Sequence, residues 1–274
     1  MDNFVNEQDF ELLKQDDCTF QVLDRILKGP CDVIRSDHEK LILCHSEEPY
    51  PVWIWTPDGL TEAEKEAAWQ LAESCRPMAE GYRYNMKEEL AEYFLARAGK
   101  AGLQAGYLMR MYAYDCPEPA APEKTADGEM YKCTPEDLEE AADLYAQFYP
   151  DIGETDVTRE HCLERARSGI NDNEFFFWKN GDGKTVACCG YKQNGDTATV
   201  GPVFTVSEYR RKHYAQNLVY RVTGRLKEKG YRVMLYTDAG YEASNECYRK
   251  IGYVLRGRLC ELAAVKEETG GEEH

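Results

Sequence analysis

No apolar run in the 274 residues approaches the ~18 that a membrane-spanning helix needs, and Met1-Asp2-Asn3 opens no basic, apolar signal segment. Neither a membrane span nor export is expected. C-x-x-C is also missing. The eleven cysteines are odd in number, and several, such as Cys247 and Cys260, fall inside apolar patterns, which suits reduced, buried thiols in a cytoplasm rather than a disulfide framework. Adjacent Cys188 and Cys189 read as alternate faces of one strand. The five histidines, at 38, 45, 161, 213 and 274, show no metal-ligand spacing, and neither a P-loop nor G-x-G-x-x-G occurs. Metal sites, nucleotide hydrolysis and dinucleotide chemistry therefore lack their usual signals. Basic residues number 33 against 50 acidic ones, a net charge of −17. That balance argues against a nucleic-acid partner, whose phosphates a binder must neutralise. A negative surface suits a cationic acceptor, or serves solubility alone.

What is present is globular: 43% hydrophobic and 30% charged residues, in a chain long enough for two domains. Residues 1–30 carry apolar positions at helical spacing, stopped by Gly29-Pro30. Cys31 to Ile34, Lys40 to His45 and Val52 to Trp55 read as short strands, Thr61 to Glu64 as a capping box opening a helix to about Cys75, Met86 to Ala98 as a helix, and Tyr107 to Tyr114 as a strand. This half (1–115) is expected to be an α/β domain. Residues 116–128, within the proline-containing stretch Asp115 to Gly128, read as a linker. A second domain, 129–265, begins with the strand Glu129 to Cys133. Thr134 caps a helix to about Tyr149, Thr158 caps the next to about Gly169, and Glu174 to Trp178 with Thr185 to Lys192 reads as a hairpin. Lys266 to His274 is expected to be a disordered acidic tail.

Chemistry concentrates between Thr197 and Tyr253. A β-rich run ends at Val206; after the basic turn Arg210-Arg211-Lys212-His213-Tyr214-Ala215, apolar Tyr214, Leu218, Val219, Val222 and Leu226 form one helix face ending at Gly230. A helix start leaves about four backbone amides unpaired and carries partial positive charge, so this turn reads as an anion cradle. An isolated basic run is commonly only a solvated helix start. Here Val233 to Thr237 follows as a strand, Ala243 to Ile251 as a short helix closed by Gly252, and Tyr253 to Leu262 as another strand. Such alternation implies parallel pairing, with ligands outside the strands' carboxyl ends.

These residues resemble the GCN5-related N-acetyltransferases (GNAT). Arg210-x-x-His213-x-Ala215 fills the family's Gln/Arg-x-x-Gly-x-Gly/Ala acyl-CoA loop except at the glycine. Asn245, Tyr248, Lys250, Gly252 and Tyr253 resemble its Asn-Tyr-Lys-Gly-Tyr ending, with Asn245 closer to Tyr248 than in many members. The resemblance covers about Glu129 to Val265, and some members carry a second, degenerate copy of the fold, which the N-terminal half is similar to in size. It implies the acyl-CoA N-acyltransferase fold, a mixed central sheet with flanking helices, and acetyl-CoA as co-substrate with no metal. Backbone of Phe204, Thr205 and Val206 would pair with the pantetheine arm, Arg210, Arg211, Lys212, His213, Tyr214 and Ala215 would hold the diphosphate, and Asn245 would bond the arm further along. Tyr248 would lie beside the thioester sulfur as general acid.

The expected function is acetyl transfer to a primary amine, a small molecule or a peptide, by direct attack, in a cytoplasmic monomer or homodimer without nucleic-acid or membrane partners. The base that deprotonates the acceptor stays open between Glu208, Asp238 and a water relay. His213 at the glycine position leaves a second reading, an acyl-CoA-binding sensor without turnover.

Overall fold

The computed structural model describes residues 1–172 and 174–265; the expected tail, 266–274, lies outside the described residues. Two compact units result, one formed by residues 1–113, 238–240 and 256–265, the other by 114–237 and 241–255. In chain order the first unit contributes α1 (Glu7–Leu13), α2 (Gln21–Ile26), β1 (Val33–Ser36), β2 (Ile42–His45), β3 (Val52–Trp55), α3 (Glu62–Cys75), β4 (Tyr84–Lys87), α4 (Glu88–Lys100) and β5 (Ala105–Asp115). There follow β6 (Glu129–Lys132), α5 (Leu138–Asp151), α6 (Arg159–Asn171), β7 (Phe175–Lys179), β8 (Thr185–Asn194), β9 (Thr197–Thr205), α7 (Tyr214–Glu228), β10 (Arg232–Asp238), α8 (Glu242–Ile251) and β11 (Val254–Ala264).

The N-terminal unit has strand order β1-β2-β3-β4-β11-β5. Strands β1, β2 and β3 pair antiparallel in succession, and β3 pairs parallel with β4 through the crossover helix α3. Ala68, Trp69 and Ala72 bury one stripe of α3 among Ile54, Tyr84 and Phe94. Strand β4 departs from expectation, because the helix anticipated from Met86 starts only at Glu88. Tyr84, Asn85 and Met86 are all buried, and a strand covered on both faces has no apolar alternation to read. The last strand also departs from the expected parallel run: β11 pairs antiparallel with β4, from Leu259↔Lys87 to Leu262↔Tyr84. That register places Cys260 and Leu262 in the N-terminal unit's apolar core.

The second unit repeats this order of events. Strands β7, β8 and β9 pair antiparallel in succession, and β9 pairs parallel with β10 through α7. Strand β6 adds to β7, and helices α5 and α6 pack Ala141, Tyr145, Cys162 and Ala166 with Phe175, Phe177 and Phe204. Cys188 and Cys189 are both buried, since this sheet too is covered on both faces where they lie.

The stretch read as a linker is tied to the second unit. The Cys116 amide donates to Val233 O (2.9 Å) and the Ala120 amide to Ile251 O (2.7 Å). Further along, Asn217 Nδ2 donates to Lys124 O (3.0 Å) and Trp178 Nε1 to Asp127 O (2.7 Å). Gly252, at φ 101°, closes α8 so near this segment that a Cβ would lie 2.4 Å from Glu118 O. The prolines mark irregular backbone rather than freedom.

Candidate acyl-CoA site

The parallel ladder between β9 and β10 runs only from Thr197↔Arg232 to Thr199↔Met234. Beyond it β9 continues to Thr205 and β10 to Asp238. An opening between two parallel strands at their carboxyl ends is where an open α/β sheet takes a ligand. Midway along this part of β9, Gly201 and Pro202 lie between Val200↔Tyr191 and Val203↔Cys189, so two residues oppose Gly190 alone. This is a β-bulge, and Gly-Pro inside a strand pattern was its available signal.

After β9 the chain makes one 3-10 turn, Ser207–Tyr209, and reaches α7 through two left-handed residues, Arg211 (φ 63°) and His213 (φ 66°). His213 is the N-cap and makes no capping bond with its side chain. Its exposed ring places Nδ1 3.3 Å from Gln216 Oε1. Among the described residues no acceptor takes the backbone amides of 211–216; the first amide engaged is that of Asn217, on His213 O (3.0 Å). Successive unengaged amides gathered by left-handed residues at a helix start make an anion-binding concavity. The turn thus keeps the backbone that glycine would favour, although histidine occupies the position.

The basic side chains divide. Arg210 Nε donates to Thr205 O (3.1 Å) and its guanidinium pairs with Asp151, so it braces the turn against α5. Arg211 and Lys212 are exposed, and the Lys212 ammonium lies 5.1 Å from the Tyr209 ring centroid. Tyr214 OH donates to Asp127 Oδ1 (2.6 Å), and that carboxylate pushes the phenol up to about 12. Ala215 is half-buried in the first turn of α7.

Phe204 is buried, edge-on to Phe148 of α5, while Thr205 and Val206 are half-buried. Val206 is engaged at both backbone groups, its amide on Val186 O (3.0 Å) and its carbonyl accepting from Tyr209 N (2.8 Å). On α8, Asn245, Tyr248 and Ile251 form the buried face. Asn245 Nδ2 donates to Tyr241 O (3.1 Å). Burial raises the Tyr248 phenol well above its ordinary range, so it stays protonated, and Tyr253 packs edge-on against it at 5.8 Å. Glu208 is exposed on the 3-10 turn. Asp238 Oδ1 accepts the Gly240 amide (2.7 Å), as a turn acid does.

A cavity of about 360 Å³ adjoins β9, walled by Tyr145, Phe148 and Tyr149 of α5, His161 and Arg165 of α6, and the bulge residues Gly201 and Pro202. None of these was singled out as a site residue by the sequence; His161 and Arg165, at i and i+4, share one helix face, which was the readable hint. Among the described residues no three or more His, Cys, Asp or Glu side chains are grouped to hold a metal ion.

The matching helix start in the N-terminal unit is closed. Thr61 Oγ1 caps the Glu64 amide while Glu64 takes the Thr61 amide, and Glu62 and Glu64 place negative charge in the first turn of α3. Beside it Lys87 pairs with Asp16 (2.6 Å) and Asp58 (2.8 Å). A diphosphate would meet carboxylates there rather than free amides.

The family described as Acetyltransferase (GNAT) matches residues 138–253, from the start of α5 to the end of the second motif. A GNAT-family acetyltransferase from Colwellia psychrerythraea is 12% identical with a TM-score of 0.58, covering 96% of this chain and 99% of its own. A GCN5-related N-acetyltransferase from Kribbella flavida is 15% identical with a TM-score of 0.60, covering 92% and 95%. Another from Sphaerobacter thermophilus is 14% identical with a TM-score of 0.59, covering 88% and 84%. At such identity the likeness is one of fold. No curated protein matches the chain. The fold is the one these acetyltransferase structures share. Residues 138–253 carry the match to the GNAT acetyltransferase family, whose general chemistry is acyl transfer from acetyl-CoA.

Proposed function

We propose that the protein is an N-acetyltransferase that moves the acetyl group of acetyl-CoA to a primary amine by direct attack. The observation that carries this reading is the row of unengaged amides, 211–216, at the start of α7, beside the opening between β9 and β10. These amides bind the diphosphate, Arg211 and Lys212 add positive charge, and Arg210 holds the turn in shape. Phe204 and Thr205 present backbone to the pantetheine arm. Bound acetyl-CoA supplies the activated acyl carbon. Tyr248, kept protonated by burial, donates its proton to the thiolate that leaves. Glu208, exposed beside the cradle, takes the proton of the acceptor ammonium directly or through water. Asp238 is already engaged as a turn acid and is the weaker base. The N-terminal unit is a copy of the fold without a working cradle.

A sensor without turnover, suggested by His213, would use the same cradle, since the left-handed backbone there serves binding with or without transfer. Thiol release from acetyl-CoA over a panel of amine classes tests the proposal. Release above the uncatalysed rate for one class supports it; stoichiometric CoA binding without release for any class overturns it in favour of the sensor.

A further inference from the structure

The cavity beside β9 has a composition of its own. Tyr145, Phe148 and Tyr149 give it aromatic walls, and Phe148 touches Phe204 of the proposed cofactor strand at 6.3 Å between centroids. Into this aromatic setting α6 brings Arg165, half-buried and lining the same cavity as Tyr149. Tyr149 OH lies 3.1 Å from His161 Nε2. Among the described residues Arg165 forms no ion pair with a carboxylate, although acids outnumber bases 50 to 33 in this chain. Arg159, at the first position of α6, pairs by contrast with both Glu139 and Asp143. A guanidinium presents a planar fork that matches a carboxylate in two parallel hydrogen bonds. Glu154, exposed at the same cavity, complements an ammonium group. At about 360 Å³ the space is near the lower end of ligand cavities, ~300–1,000 Å³, which suits a single amino acid better than a peptide.

Resting on the acetyltransferase reading above, we propose that this cavity is the acceptor site and that its substrate class is the free amino acid with an apolar side chain, whose carboxylate Arg165 holds while the aromatic walls take the side chain. In the reaction the base takes one proton from the ammonium, the neutral amine nitrogen bonds the acetyl carbon and sheds a second proton as the amide forms, the carbon–sulfur bond breaks, and the leaving thiolate takes up one proton, so that one proton is released overall. Arg165 is a specificity residue and takes no part in these bond changes.

The test pairs amines that differ only by the carboxylate: phenylalanine with phenethylamine, and leucine with isoamylamine. Wild type is expected to favour each amino acid by at least ~10-fold in kcat/KM, since a site built around a charged partner rejects the analogue lacking it. Arg165→Gln should cost the amino acids at least ~10-fold, mainly through KM, and leave the two simple amines and the KM for acetyl-CoA within about twofold. Arg165→Lys should recover part of the preference, because it restores charge without the fork. Equal use of paired amines by wild type, or equal losses for both members in Arg165→Gln, would overturn the proposal. Should no amine release thiol, the acetyltransferase reading falls by itself, and calorimetric titration with phenylalanine still decides the site. Binding by wild type that Arg165→Gln loses supports it; no binding by wild type refutes it.

Discussion

His213 stands where the family's loop has glycine, and the perturbation with the clearest arithmetic is His213→Gly. The residue is left-handed (φ 66°), and a Cβ there costs roughly 1–2 kcal/mol. Its exposed ring makes one long contact, to Gln216, and no cap bond, so little is lost by removing it. Glycine's extra freedom in the unfolded chain takes back ~0.5–1 kcal/mol. His213→Gly should therefore stabilise the second unit by about 0.5–1 kcal/mol, whereas His213→Ala, which keeps the Cβ, should stay within ~0.5 kcal/mol of wild type. Urea unfolding of the three proteins reads this as a raised midpoint at constant slope for the glycine variant alone. Acetyl-CoA affinity should change less than tenfold, ~1.4 kcal/mol, and its profile from pH 5.5 to 8 should match wild type. A glycine variant less stable than the alanine variant would refute the backbone argument. Wild-type affinity that strengthens as pH falls through 7, with that trend lost in the glycine variant, would show the ring to be a phosphate ligand.

Tyr248→Phe should lower kcat by ~10²-fold with little change in KM for acetyl-CoA, because the lost proton acts on the leaving thiolate; an unchanged kcat when chemistry limits the rate would remove Tyr248 from the mechanism. Glu174 accepts from Arg225 (2.8 Å), Lys132 (2.8 Å) and Lys229 (2.6 Å), and hydrogen bonding, first of all from Arg225, holds its carboxyl far below the usual range. Glu174→Gln should destabilise the second unit by about 2 kcal/mol at neutral pH, as for loss of charged hydrogen bonds. Because the folded pKa is the lower one, that stability is present above the unfolded carboxylate range, ~4.3, and is lost as pH falls below it, so the two proteins should converge in acid; a gap that persists would contradict the assignment. Calorimetry should give one acetyl-CoA per chain, since the start of α3 is capped and acidic; two equivalents would show that the N-terminal unit also binds.

Where residues signalled through local chemistry, the sequence was readable. Thr61 and Thr158 begin α3 and α6 as their caps require, and β3 falls on Val52–Trp55 as anticipated. What was lost depended on distant partners. Strand β4 shows no alternation because both its faces are covered, and the place of β11 beside β4 follows from pairing across much of the chain. The stretch from Cys116 to Asp127 looked like a linker because backbone bonds, which leave no trace in composition, fasten it. At the site the pattern was similar. The basic turn and the buried face of α8 were legible as motifs, but the left-handed Arg211, the inward commitment of Arg210 to Asp151 and the cavity between α5, α6 and β9 needed coordinates.

The central claim is that acetyl-CoA is held by the amides at the start of α7, and hydrogen exchange of the backbone amides with and without acetyl-CoA tests it most directly. The account predicts protection on binding concentrated in residues 211–216, with no change at 61–64 in the N-terminal unit. Unaltered exchange at 211–216 while acetyl-CoA is bound, or protection appearing at 61–64 instead, would contradict it.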